Sequence, residues 1–268
     1  MIAIRGRLLL AAAASCLVCT PLSLARRPET GFLNRTAVVD RVTYKYQVFV
    51  PADWNRKVKW PVILFLHGYG EEGDDGLLPT QVGLAAAIRR HVDRFPFVVV
   101  IPQCRKQDWW TNSPMEAQAL KALDQTMQEF KGDPQRVYLT GLSMGGYGTW
   151  ALGSQHSGRF AALVPICGGV RLPPGHHLAN ARDTVESADP YTAVAQKIGK
   201  TPVWVFHGGA DDTVPVTESR KMVEALKAAG GDVHYTEYPG VGHDSWTKAY
   251  DEAELFTWLL AQKLGPAK

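Results

Sequence analysis

The sequence predicts an α/β fold with a mainly parallel central sheet of about seven to eight strands and helices on both faces. Two observations predict it. Five apolar runs, "PVILFLH" (61–67), "FVVVIP" (97–102), "RVYLTG" (136–141), "FAALVPICG" (160–168) and "TPVWVFHG" (201–208), are short, β-rich and nearly continuous, as strands covered on both faces are. Helical stretches at 81–91, 115–130, 144–155, 218–229 and 249–263 fall between and after them, and such alternation builds an open, mainly parallel sheet. With 268 residues, 46% hydrophobic and 21% charged, the chain can bury a core of this kind as one domain.

Ahead of the first run, "VTYKYQVFVP" alternates, with Val42, Tyr44, Tyr46, Val48 and Val50 on one face, which predicts a half-exposed strand near a sheet edge. Residues 26–35 read as a tether and 36–268 as the folded domain. A last strand is expected in "VHYTEYP" (233–239). The alternation breaks over 169–200, a stretch rich in Pro, Gly, His and Asp with a short helix expected at 190–198. Segments of this length tend to line a site. This one is too short for a large lid, so an open entrance is expected.

The first 25 residues stand apart. Arg5 and Arg7 precede an uncharged run from Leu8 to Val18, and Ser23-Leu24-Ala25 places small residues where a signal peptidase cuts. That pattern predicts a secretory signal cleaved after Ala25, hence a secreted or periplasmic protein; the alternatives are an uncleaved anchor or a lipid anchor near Cys16. Cleavage takes Arg5 and Arg7 from the 29 basic residues and leaves 27 against 26 acidic ones. Such a balance predicts neither nucleic acid nor a membrane surface as partner. Cys104 and Cys167 then remain, too few for a disulfide framework and in no metal-ligand spacing. Both are expected as buried thiols, and no metal or cofactor is expected.

Chemistry enters at "YLTGLSMGGYGTW" (138–150). Ser143 falls between a strand and a helix, where flanking glycines relieve a tight turn and the helix N-terminus faces the hydroxyl. The same residues also fit a plain Gly-rich helix start. A serine needs a histidine base, and that histidine needs a carboxylate. Both follow in hydrolase order: Asp211 or Asp212 in "FHGGADDTVPV", after a strand, and His243 in "YPGVGHDSW". One member of the Asp-Asp pair reads as a turn or capping residue, and His243 alone would read as a loop histidine. The ordered set carries the argument. In "LFLHGYGEEG", the backbone N–H of Tyr69 is placed to join that of Met144 as an oxyanion hole. His176 and His177, in the irregular segment, are candidates for substrate contact.

Taken together, "LFLHGYGEEG", "VIPQC", "YLTGLSMGGYGTW", "PICGG", "FHGGADDTVPV" and "GVGHDSW" resemble the α/β-hydrolase esterases of the phospholipase/carboxylesterase and polyhydroxybutyrate-depolymerase-like group, over almost the whole chain after the signal. The resemblance implies an α/β-hydrolase fold without a large lid domain and a serine carboxylesterase activity. Its His-Gly-x-x-Asp-x-x-Val-Pro pattern falls on His207, Gly208, Asp211, Val214 and Pro215, which selects Asp211 over Asp212 as the acid. It also implies Tyr69 and Met144 as oxyanion donors, with Trp109 or Trp110 and Trp246 lining the site. An open, Trp-lined cleft suits short acyl chains, or small acyl and aromatic groups such as acetyl or feruloyl esters on polysaccharide. A peptidase of the prolyl-oligopeptidase type is the alternative enzyme, although its large N-terminal propeller has no counterpart here. A non-catalytic binding module on the same fold is the alternative from another class.

Overall fold

The most apolar run of the sequence becomes the middle of the sheet. In the computed structural model, which describes residues 29–172 and 183–265, Trp60–Leu66 forms β3 and every one of its residues is buried. Successive side chains point to opposite faces of a strand. Val62, Leu64 and Leu66 therefore enter one core, and Ile63 and Phe65 the other.

The remaining strands are β1 (Gly31–Val39), β2 (Val42–Val50), β4 (Val98–Pro102), β5 (Gly132–Leu142), β6 (Ala162–Ile166), β7 (Val203–Gly208) and β8 (Val233–Tyr238). They form one eight-stranded sheet in the order β1-β2-β4-β3-β5-β6-β7-β8. From β4 across to β8 all neighbours are parallel, and β1 and β2 are antiparallel. The helices are α1 (Gly83–Arg90), α2 (Ser113–Glu129), α3 (Met144–Gln155), α4 (Pro190–Ile198), α5 (Thr217–Ala228), α6 (Trp246–Asp251) and α7 (Ala253–Ala261). Side chains of α2, α3, α4 and α5 fill the core on one face, and those of α1, α6 and α7 fill the other.

Order along the sheet reverses at β3. The chain leaves β3 over one face through α1 and leaves β5 over the opposite face through α3. The loops after these adjacent strands therefore diverge, and a crevice opens at their carboxyl ends.

Three expectations change. Residues 31–35 are not a tether but the first half of β1, an edge strand paired along its length with β2. Pairing satisfies its backbone groups, and Arg35 fastens it to α2 through Glu129 at 2.7 Å. β2 is accordingly second from the edge, with Tyr44 to Val50 largely buried and Val42 exposed. The expected last helix is two, α6 and α7, parted at Glu252, whose ψ of 111° leaves the helical region. The predicted signal segment lies outside the described residues.

Phe65 has no solvent exposure and packs edge-on to Tyr250 at 5.9 Å. Phe65→Ala is expected to lower unfolding free energy by about 3–5 kcal/mol in urea titrations. A loss under about 1 kcal/mol would contradict this account of β3 as a packed centre.

Candidate active site

Ser143 joins β5 to α3 with φ 52°, a left-handed conformation that residues with a side chain seldom adopt. Its N–H donates to Ile166 O at 2.9 Å, and its carbonyl accepts from Gly146 and Tyr147 N–H at 2.8 and 3.1 Å. These bonds over-determine a strained turn. Glycine beside it is a requirement of space: a Cβ on Gly145 would overlap the Leu66 carbonyl, and one on Gly141 the Gly145 carbonyl. The start of α3 thus rests directly on the end of β3.

Ser143 Oγ lies 2.9 Å from His243 Nε2, and His243 Nδ1 lies 2.7 Å from Asp211 Oδ2. The carboxylate accepts a hydrogen bond from Nδ1–H, which leaves Nε2 as the acceptor for the serine hydroxyl. Asp211 and His243 come from loops after β7 and β8 that are stitched together by Gly209 N–H to Tyr238 O and Ala210 N–H to Val241 O, each 2.9 Å. Gly208 packs against the Val241 and Gly242 carbonyls with no room for a Cβ.

The Asp211 side chain has 0% exposure. Its Oδ1 accepts from Thr213 and Val214 N–H, both at 2.9 Å. A second imidazole, His207, places Nε2 3.2 Å from Oδ2 and 3.0 Å from Val214 O, while its Nδ1 lies 2.6 Å from Ser219 Oγ. Nε2 faces two acceptors and so carries the proton; Nδ1 accepts from the serine hydroxyl. Burial alone would raise the Asp211 pKa. The bonds from His207, His243 and Val214 N–H outweigh it and hold the carboxyl well below the usual carboxylate range. Asp212, by contrast, is exposed and meets the Thr213 hydroxyl at 3.3 Å.

Across the crevice, His67 follows β3 directly. Its Nδ1 donates to Gly68 O at 2.6 Å, Cys104 N–H donates to its Nε2 at 2.9 Å, and Trp110 Nε1 donates to its carbonyl at 2.9 Å. The loop bearing Tyr69 is thereby fixed to the loop after β4. Burial drives the His67 pKa down to about 4 against the smaller upward pull of the Gly68 carbonyl.

A cavity of ≈ 470 Å³ opens over Ser143 and His243, with Tyr69, Met144, Trp109 and Trp246 in its wall. The structure therefore brings together Ser143, Asp211, His243, both expected oxyanion residues and two of the three tryptophans. Trp110 is a correction. Its indole is fully buried, bonded to His67 O and packed edge-on to the His67 ring, so it supports the loop instead of lining the cavity. His176 and His177 lie outside the described residues. Cys104 and Cys167 are free and buried. Burial raises both thiol pKa values, and Cys167 Sγ sits within 4.8 Å of the Asp211 carboxylate and the His243 ring.

Sequence reasoning gave no role to four residues of the site: His67, His207, Tyr147 and Glu71. The two histidines carried a signal, since each is the last polar-capable residue of a wholly apolar run before glycine, "LFLHG" and "WVFHG". Tyr147 and Glu71 line the cavity.

A serine at a strand–helix turn, then an acid, then a histidine, each following a strand of a mainly parallel eight-stranded sheet, define the α/β-hydrolase class. The chain belongs to the dienelactone hydrolase family, whose sequence profile matches residues 87–254. It is 29% identical over 123 residues to acyl-protein thioesterase 1 of Gibberella zeae, spanning 46% of this chain and 47% of that one. It is 31% identical over 132 residues to a putative carboxymethylenebutenolidase of Methylorubrum extorquens, spanning 48% and 42%. Among solved structures, a thermostable esterase superposes with a TM-score of 0.72 at 33% identity, covering 87% of this chain and 63% of the other. The chain spans less than half the length of these two curated relatives.

The Asp211 geometry predicts that Asp211→Asn slows labelling of Ser143 by an organophosphorus reagent by roughly 10³–10⁴, while Asp212→Asn leaves it within a few-fold. The reverse pattern, read by intact-mass spectrometry over time, would move the acid to Asp212. His67 carries a separate prediction. Folded, it resists protonation down to about 4, whereas an unfolded imidazole takes its proton near 6.5. The unfolded state binds more protons in that window, so stability falls as pH drops from about 6.5 towards about 4, on the order of 3 kcal/mol for this group. His67→Gln should flatten that part of the stability–pH curve; an unchanged slope would remove His67 as its source.

Proposed function

We propose that this protein is a serine carboxylesterase acting on short-chain or small aromatic acyl esters through an acyl-enzyme. The observation that carries the reading is the unbroken path from Ser143 Oγ to His243 at 2.9 Å and on to Asp211 at 2.7 Å, beside a cavity of matching scale. His243 Nε2 takes the hydroxyl proton as Ser143 Oγ bonds to the carbonyl carbon, and the imidazolium is stabilised by Asp211. The Tyr69 and Met144 amides are the assigned donors to the oxyanion. As the tetrahedral centre collapses, His243 returns the proton to the departing alkoxide. Water then attacks the acyl-enzyme by the same steps, freeing the acid and Ser143.

A cavity of ≈ 470 Å³ must take the acyl group and part of the alcohol, and sites for small ligands begin near this size. Trp109 and Trp246 supply flat apolar walls for an aromatic acyl group. Tyr147 adds a further aromatic ring to the same wall. Acetyl or feruloyl groups displayed on a polysaccharide suit these walls. The secretory signal expected over residues 1–25 supports a secreted or periplasmic location.

Purified protein is expected to hydrolyse 4-nitrophenyl acetate and butyrate well ahead of the palmitate, and Ser143→Ala to lose at least about 10³ in kcat/KM. Equal low rates for both proteins would end the esterase reading. A preference for palmitate would end the small-acyl assignment alone.

A further inference from the structure

We propose that Glu71 makes this site a charge filter, admitting neutral or cationic ester substrates and turning away those that carry a carboxylate near the ester. The proposal rests on the esterase reading and adds a substrate class to it.

Four observations lead there. Glu71 lies in the wall of the cavity that opens over Ser143. Its carboxylate is held against the backbone of the lining residue Gly68, whose N–H donates to Oε2 at 3.0 Å. A Cβ on Gly68 would lie 3.2 Å from Glu71 Oε2 and 3.7 Å from Ser143 Cβ, so carboxylate and nucleophile flank a single point of the loop. Finally, among the described residues that line the cavity, Glu71 is the one carboxylate and none is lysine or arginine.

Among the described residues, no cation pairs with the Glu71 carboxylate. Burial raises its pKa, and what opposes this is backbone N–H from Gly68 and from Glu71 itself. Its field therefore reaches whatever occupies the cavity. Apolar walls and a half-buried position weaken solvent screening, and two like charges several ångströms apart then repel by enough to cost an order of magnitude or more in binding. A substrate carboxylate would also give up its hydration with no cation offered in return. A neutral hydroxyl or amide loses nothing of the kind and can donate to Glu71.

Phenyl acetates bearing carboxamide, carboxylate or trimethylammonium at the para position isolate this effect, each kcat/KM being divided by the hydroxide-catalysed rate of the same ester. The wild-type enzyme is expected to favour carboxamide over carboxylate by roughly tenfold or more, with trimethylammonium at least equal to carboxamide. Glu71→Gln keeps an oxygen to accept from Gly68 N–H while removing the charge, and should bring the carboxamide-to-carboxylate ratio within about threefold; Glu71→Ala gives a second, shorter variant. A wild-type enzyme that turns over the carboxylate ester as fast as the carboxamide overturns the filter and leaves the esterase reading intact. A ratio unchanged in both variants removes Glu71 from it. Absence of Ser143-dependent turnover of the carboxamide ester ends the esterase reading and the filter with it.

Discussion

Everything at this site depends on how closely the turn at Ser143 approaches the end of β3. The Gly145 backbone sits on the Leu66 carbonyl with no space for a Cβ between them. Parallel pairing runs right up to the turn, with Leu66 opposite Gly141 and Leu142 opposite Ile166. A left-handed serine costs on the order of 1–3 kcal/mol, and two strands plus a buried helix hold it there. The same contact sets the other half of the crevice. The loop that carries His67 and Tyr69 leaves β3 at Leu66, so Ser143 and the Tyr69 loop are referred to one backbone point.

A second close approach does the same for Asp211 and His243. Gly208 lies against the Val241 and Gly242 carbonyls, and the flanking amides bond across, so the Asp211 and His243 loops behave as one unit. Asp211 is then surrounded by donors from its own turn and by two imidazoles. An anion with that many hydrogen bonds is stable without solvent, which is what permits full burial of its side chain.

Much of this was legible in the sequence, for identifiable reasons. Strands buried on both faces write themselves as unbroken apolar runs, and the helices between them complete the α/β pattern. The order of Ser143, Asp211 and His243 was readable because each follows an expected strand. β1 was not readable. Its hairpin turn uses Asp40 and Arg41, both at positive φ, where an Asn-Gly or Asp-Gly pair would have announced the turn. Trp109 and Trp110 could not be told apart, since neighbours in a loop obey no period, and only the fold shows that one indole faces the cavity and the next faces His67. Buried His67 and His207 escaped because sequence does not reveal which apolar run ends in a hydrogen-bonded imidazole.

The contrast between these two sets of residues has a physical root. Ser143, Asp211 and His243 are placed by backbone: strand ends, a glycine contact, amide-to-carbonyl bonds between loops. A change there moves the chain itself and is felt across the sheet. Glu71 belongs to a short turn that is anchored independently, through Gln103 Nε2 to its carbonyl and through His67 and Cys104 behind it. Its side chain reaches the cavity by one hydrogen bond to Gly68. Charge, size and polarity at that position can therefore vary while the nucleophile keeps its geometry. A fold built in this way can keep Ser143, His243 and Asp211 in one geometry while the cavity wall changes, because the first are set by backbone contacts and the second by side chains.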